Sequence, residues 1–122
     1  MTKVLCVDDS LTMRKMVTHT LTASGKYECV EAADGKEGLV MVQQERPDII
    51  ITDFNMPVMN GLDFTAAVRA LAEYKYIPIL LLTTETSDVL RQKAKEYGAT
   101  GWMVKPFNPE KLLRTMEKVL PH

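Results

Sequence analysis

Five side chains of the kinds that handle phosphate and metal ions each stand at the end of an apolar run. Asp8 and Asp9 follow "VLCV", Asp53 ends "DIIITD", Thr83 ends "IPILLLT" and Lys105 ends "GWMVK". Neighbouring residues in a strand point to opposite faces, so Asp8 and Asp9 serve one site only where the strand has already yielded to a loop. Carboxylates gathered in one place repel, since two unit charges ~4 Å apart cost roughly 4 kcal/mol at an effective dielectric of about 20. Asp8, Asp9 and Asp53 carry three negative charges and Lys105 one positive charge, and the remaining two are what a divalent cation cancels. Oxygen donors with no His or Cys beside them favour Mg²⁺, which retains several waters and commonly works on phosphate groups.

These side chains meet only if the elements carrying them end along one edge. Five Val-, Ile- and Leu-rich segments, "KVLCVD", "ECVEA", "DIIITD", "IPILLLT" and "GWMVK", alternate with five segments of helical periodicity. The continuous apolar character of the third and fourth suits parallel strands covered on both faces, whereas the second alternates and reads as an edge. Met13, Met16, Val17 and Leu21 share one helical face, as do Phe64, Val68 and Leu71, and Leu112, Met116 and Val119; all three stripes are expected to pack into the core. Gly25 and Gly98 mark helix ends, Asn108 and Pro109 mark a helix start, and Gly38 weakens the second helix. Strict βα alternation predicts an α/β fold with an open, parallel, doubly wound sheet, right-handed crossovers and helices on both faces. Such folds bind ligands beyond the carboxyl ends of the strands, where all five polar residues fall.

Composition narrows the function. At 122 residues the chain is read as one domain, 1–122, with no output domain. A hydrophobic content of 46% and a charged content of 25% are those of a soluble protein, no apolar run is long enough to span a bilayer, and the amino terminus carries no secretory pattern. The expected compartment is cytoplasmic. A net charge of -1 supplies no attraction for a nucleic-acid backbone. Cys6 and Cys29 lack metal-ligand spacing and are read as reduced, small core or near-core residues.

"VDDS", "DFNMPVMNG", "LLTTE" and "MVKPF", in this order and at these strand ends, resemble the receiver domains of bacterial two-component response regulators, chemotaxis (CheY-like) type. The resemblance covers essentially the whole chain. It implies a flavodoxin-like (βα)5 fold with strand order 2-1-3-4-5, and Asp53 as the nucleophile that takes a phosphoryl group from a phosphohistidine on a CheA-like sensor histidine kinase. It further implies Mg²⁺ held by Asp9, Asp53 and the backbone carbonyl of Asn55, with Asp8 acting through a water. Lys105 and Thr83 are then the partners of the phosphoryl oxygens, and Thr83 and Trp102 form the switch. The family usually carries Tyr or Phe where Trp102 stands. Asn55 and Glu85 correspond to positions that tune loss of the phosphate, and the chain is implied to catalyse its own phosphorylation and dephosphorylation. The family's partner surface, made by the fourth helix, fifth strand and fifth helix, gives Arg91, Lys95, Trp102 and Lys118 as candidates, with a flagellar motor switch protein and a phosphatase as candidate partners. A cis bond before Pro106 is also implied.

Plainer readings exist for single features. "DDS" alone fits a solvated loop with Ser10 capping a helix, Trp102 fits a core filler, His19 a solvent-facing or structural residue, and Gly61 the flexible end of the "NMPVMNG" loop. Within the receiver reading, a phosphate sink without motor output is an alternative. A Mg²⁺-dependent phosphohydrolase with an aspartyl nucleophile is disfavoured, because its pattern separates two acids by one residue while Asp8 and Asp9 are adjacent. A flavodoxin-like carrier is disfavoured because clustered carboxylates oppose an anionic cofactor.

Overall fold

The two continuous apolar runs occupy the middle of the sheet, where both faces are covered. In the computed structural model, which describes residues 1–84 and 87–120, strands β3 (Ile49–Asp53) and β4 (Ile79–Thr83) are buried at every position. Around them lie β1 (Thr2–Val7), β2 (Tyr27–Ala32) and β5 (Gly101–Val104), all parallel, in the order β2-β1-β3-β4-β5. The crossovers are helices α1 (Leu11–Ala23), α2 (Gly35–Glu45), α3 (Gly61–Arg69) and α4 (Asp88–Tyr97), and α5 (Pro109–Val119) closes the described chain; one 3-10 turn, Ala72–Tyr74, precedes β4. This is the parallel, doubly wound α/β architecture that alternation predicts, with the flavodoxin-like (βα)5 strand order that the receiver resemblance implies, and β2 is one of the two edge strands.

Alternate residues of each strand feed opposite layers. Val4, Cys6, Ile49, Ile51, Leu80, Leu82 and Met103 pack with Val17 and Leu21 of α1 and with Leu112 and Met116 of α5. Leu5, Val7, Ile50 and Ile79 face Val42 of α2 and Phe64 and Val68 of α3. Leu81 meets Leu62 of α3 and Ala94 of α4, with Trp102 packed beside them. Each fully buried Leu or Ile contributes roughly 1.5–3 kcal/mol, so this two-layer core is strong enough to hold charged residues together at the strand ends.

The helices begin with side-chain caps that pin the loops leaving that edge. Ser10, Asp34, Asn60, Ser87 and Asn108 each accept a hydrogen bond from the backbone N–H three residues on, and Pro109 sits in the first turn of α5. A cap of this kind is worth about 1 kcal/mol. Gly25 and Gly98 follow helix ends at positive φ, as their positions predict. None of the described helices is long and apolar enough to cross a membrane.

Three local expectations are corrected. Met16 is 48% exposed, so the stripe of α1 that packs inward comprises Val17 and Leu21 with partly buried Met13. Leu71 lies beyond the end of α3, in the connection to the 3-10 turn, although it still packs against the α2–α3 layer. Gly61 is not a flexible loop end: it is the first residue of α3, it is buried, and its N–H donates to the Phe54 carbonyl at 2.8 Å. A Cβ there would collide with the Asp53 carbonyl oxygen, the Phe54 Cα and a methyl of Leu81, so the residue lets α3 start directly against β3. Gly38 does the same for α2, whose backbone approaches the Phe64 ring and Val7.

Candidate functional site

Strand β1 stops at Val7, and the next residue turns its carboxylate back on its own loop. Asp8 Oδ1 accepts the Ser10 N–H at 2.9 Å, its main-chain N–H donates to the Ala32 carbonyl at the end of β2 at 3.1 Å, and Ser10 caps α1. The solvated-loop reading of "DDS" is therefore only half right: Ser10 is a cap, but Asp8 is 2% exposed, while Asp9 is exposed. Asp53, at the carboxyl end of β3, is 6% exposed. The carboxylates of Asp8, Asp9 and Asp53 bring oxygens within 4.8 Å of one another. Among the described residues no other group of His, Cys, Asp and Glu converges in this way.

Lys105, the residue after β5, enters the same space. Its ammonium lies 2.8 Å from Asp53 Oδ1 and 3.4 Å from Asp8 Oδ2, and the Lys105 main-chain N–H donates to the Thr83 carbonyl at 2.7 Å. The Lys105–Pro106 peptide is cis. Burial works to lower the ammonium's pKa, but the hydrogen bond it donates to Asp53 and the charges of Asp8 and Asp53 together outweigh it and raise it. For Asp8 the balance falls differently: burial pushes its carboxyl upward, Asp53 adds to this, and the Ser10 N–H and Lys105 only partly oppose it. The pocket thus holds more negative charge than its one ammonium neutralises. The hard oxygen donors and the residual charge fit a divalent ion of the Mg²⁺ type.

This imbalance predicts the behaviour of Asp8→Asn in metal-free protein. A carboxyl whose pKa is raised by folding binds its proton more readily folded than unfolded, so it stabilises the fold at acid pH and that contribution is lost as pH rises through the raised value. Asp8→Asn removes the strain, and at neutral pH with a chelator present it is expected to gain about 1 kcal/mol, roughly 3–6 °C in midpoint for a domain of this size. The advantage shrinks as pH falls toward the ordinary carboxylate range. Thermal unfolding at pH 7 and pH 4 measures it, and an Asp8→Asn protein less stable than wild type at pH 7 would refute the accounting.

The remaining candidates divide by location. Thr83 is 1% exposed at the end of β4. It shares a sheet face with Trp102, because Leu81 pairs with Trp102 and Thr83 with Val104, two residues further along each strand. Trp102 is half-buried, and among the described residues its indole N–H is buried without a hydrogen-bond partner. It lines a cavity of about 300 Å³ together with Arg91, Lys95, Ala94 and Thr100. Lys118 is exposed on α5 and does not line that cavity. Asn55 is exposed two residues beyond Asp53, and Glu85 lies outside the described residues. His19 is exposed, as expected. Both cysteines are free; burial raises the Cys6 thiol strongly and raises the half-buried Cys29 to about 11, which leaves both as protonated packing groups.

Sequence reasoning missed Arg14. Its Nη1 donates to the Asp8 carbonyl at 2.6 Å and its Nε to Glu31 Oε1 at 2.8 Å, while Lys15 reaches Glu31 Oε2 at 2.7 Å. The available signal was a cation in the first turn of a helix that has no acidic residue there, a placement that opposes the helix dipole unless something else fixes it.

Comparison with known proteins agrees with this geometry. Residues 4–117 match the response regulator receiver domain family. The chain is 40% identical over 119 residues to the chemotaxis protein CheY homolog of Campylobacter jejuni, covering 97% of this chain and 92% of that protein. The structure of the Vibrio cholerae chemotaxis protein CheY4 superposes with a TM-score of 0.94 at 57% identity, covering 98% of this chain and 99% of that one. The receiver domain of a sensor histidine kinase from Pseudomonas aeruginosa, solved with a magnesium ion coordinated in its active-site cleft, gives a TM-score of 0.88 at 25% identity over 97% of this chain and 96% of its own.

Proposed function

The chain belongs to the response regulator receiver domain family, and from that premise we propose that it accepts a phosphoryl group on Asp53 and signals by binding another protein. One observation carries the reading: three carboxylates with oxygens within 4.8 Å of one another, and a lysine ammonium 2.8 Å from the one that ends the central strand. The donor is a phosphohistidine on a CheA-like sensor histidine kinase. An oxygen of Asp53 attacks phosphorus, a P–O bond forms as the P–N bond breaks, and the electron pair leaves with the imidazole nitrogen. Asp9, Asp53 and the carbonyl of Asn55 would hold Mg²⁺, with Asp8 acting through a water. The bound ion supplies positive charge to the phosphoryl oxygens. Lys105, held at the site by two carboxylates, turns to the same oxygens from the other side.

Thr83 donates its hydroxyl to the new acceptors and transmits their arrival to Trp102, which shares its face of the sheet. Asn55 and Glu85 tune how water reaches the acyl phosphate, and a phosphatase is a candidate partner at that stage. The readout surface is the α4–β5–α5 side, with Arg91, Lys95, Trp102 and Lys118. Similarity to chemotaxis proteins makes a flagellar motor switch protein the proposed output partner, and the cytoplasm the compartment.

The single tryptophan provides the test. Adding a small phosphodonor with Mg²⁺ is expected to change Trp102 fluorescence, with the signal returning after the donor is withdrawn and Asp53→Asn remaining silent. Absence of both a fluorescence change and labelled-phosphate incorporation would overturn the reading.

A further inference from the structure

We propose that Arg14 is a positioning residue of the acidic pocket, setting the peptide that joins Asp8 to Asp9 and so the place from which the Asp9 carboxylate reaches a divalent cation. The inference rests on the receiver reading and adds to it a residue outside the group of strand-end side chains.

The two acids are held very differently. Asp8 is fixed by its main-chain N–H on the Ala32 carbonyl, by the Ser10 N–H on Oδ1 and by Lys105 near Oδ2. Asp9 is exposed, and its side chain makes no hydrogen bond or ion pair among the described residues. With no side-chain partner to hold it, the point from which its carboxylate reaches is set by its backbone. The carbonyl of Asp8 belongs to the peptide plane that leads into Asp9, and Arg14 Nη1 donates to that carbonyl at 2.6 Å. A guanidinium bound at two ends is a stiff strut. Its Nε is held by Glu31 on the edge strand β2 at 2.8 Å, and the Arg14 side chain is only 15% exposed.

Glu31 has a second task. Arg14 brings a positive charge toward a place where a cation must bind, and Glu31 neutralises it. Burial alone would raise the Glu31 carboxyl, but its hydrogen bonds from Lys15 and Arg14 prevail and lower it, so it stays ionised. The strut can then orient the Asp8–Asp9 peptide without adding an uncompensated charge beside the cation. Lys15, 62% exposed, holds the far oxygen of Glu31 and keeps the acid facing Arg14.

The test is a Mg²⁺ titration of the whole chain followed by amide chemical shifts, with the metal-free unfolding midpoint recorded for every variant. Residues that orient metal ligands typically change affinity 10–100-fold, and Arg14→Ala is expected to bind Mg²⁺ about 10-fold more weakly while remaining folded. Glu31→Ala moves affinity in the same direction, and the double variant binds no more weakly than Arg14→Ala, because Glu31 acts through Arg14. If Arg14→Ala does not fold, Arg14→Lys takes its place: it keeps the charge, cannot bridge both acceptors as a planar fork does, and also binds more weakly than wild type. A purely structural role would lower the midpoint and leave the affinity of the folded chain unchanged. Affinity within two-fold of wild type in the Arg14 variant, or losses that simply add in the double variant, would overturn the proposal. Wild-type binding that Asp9→Asn removes keeps the receiver reading standing in that case, whereas a wild type that takes up no Mg²⁺ defeats both.

Discussion

Asp53→Asn is expected to yield a folded chain whose phosphoryl incorporation from a small phosphodonor falls to background. The amide has the shape of the carboxylate and its oxygen can still accept from Lys105 at the position where Oδ1 lies 2.8 Å away, so the strand end need not rearrange. What disappears is the anionic oxygen proposed to attack phosphorus. The substitution also removes one of three mutually repelling charges, so the metal-free fold is expected to hold or gain stability. The measurement is the mass of the intact chain after exposure to donor and Mg²⁺, followed by mapping of any adduct. The outcome to watch for is incorporation that persists. An adduct on Asp53 of wild type but on Asp8 or Asp9 of the variant would show that neighbouring acids substitute for the lost nucleophile. An adduct on some other wild-type residue would sink the assignment.

Removal of the divalent ion is the second large effect. Asp8, Asp9 and Asp53 meet with one ammonium among them, and an incoming phosphoryl group adds negative oxygens to a pocket already two charges out of balance. Electrostatic help from a bound cation is worth several kcal/mol, which at about 1.4 kcal/mol per tenfold is at least ~10²-fold in rate. Incubation with donor and excess chelator is therefore expected to reduce incorporation by at least that factor, with recovery when Mg²⁺ is restored. Undiminished incorporation in excess chelator would mean that Lys105 alone neutralises the attacking and accepting oxygens, and the metal reading would be withdrawn. Chelator should leave Asp53→Asn, already at background, unaffected, so the two experiments report on different parts of one site.

Much of this protein was legible along the chain because the relevant information is local. The unbroken apolar runs "DIIITD" and "IPILLLT" state that their strands are covered on both faces, and β3 and β4 are buried throughout. Strict alternation of such runs with helical stripes, under the right-handed crossover rule, leaves few topologies. Polar residues at the ends of those runs then fall at the carboxyl edge, and the structure brings Asp8, Asp9, Asp53 and Lys105 together there. Asn108–Pro109 and Gly98 are equally local signals, since a cap or a positive φ is a property of a few consecutive residues.

Tertiary packing decided everything that depends on how far apart two elements sit. Gly61 and Gly38 look like loop or helix-weakening glycines in one dimension; only contact with Asp53, Leu81, Phe64 and Val7 makes them points of close approach. Met16 has the right phase on α1 and still faces water, because phase gives a direction while burial needs a neighbour in that direction. Asp8 and Asp9 are indistinguishable as residue types, yet one is enclosed by β2, Ser10 and Lys105 and the other is open to solvent. The strut from Glu31 through Arg14 to the Asp8 carbonyl joins residues 17 apart across the packing of α1 on β2, with no periodicity to announce it. Residue types and their spacing determined which polar side chains gather and at which edge, since polarity and period act locally; the asymmetry of its carboxylates and the support beneath them arose only when distant segments were pressed to contact, because burial and hydrogen-bond geometry are properties of pairs.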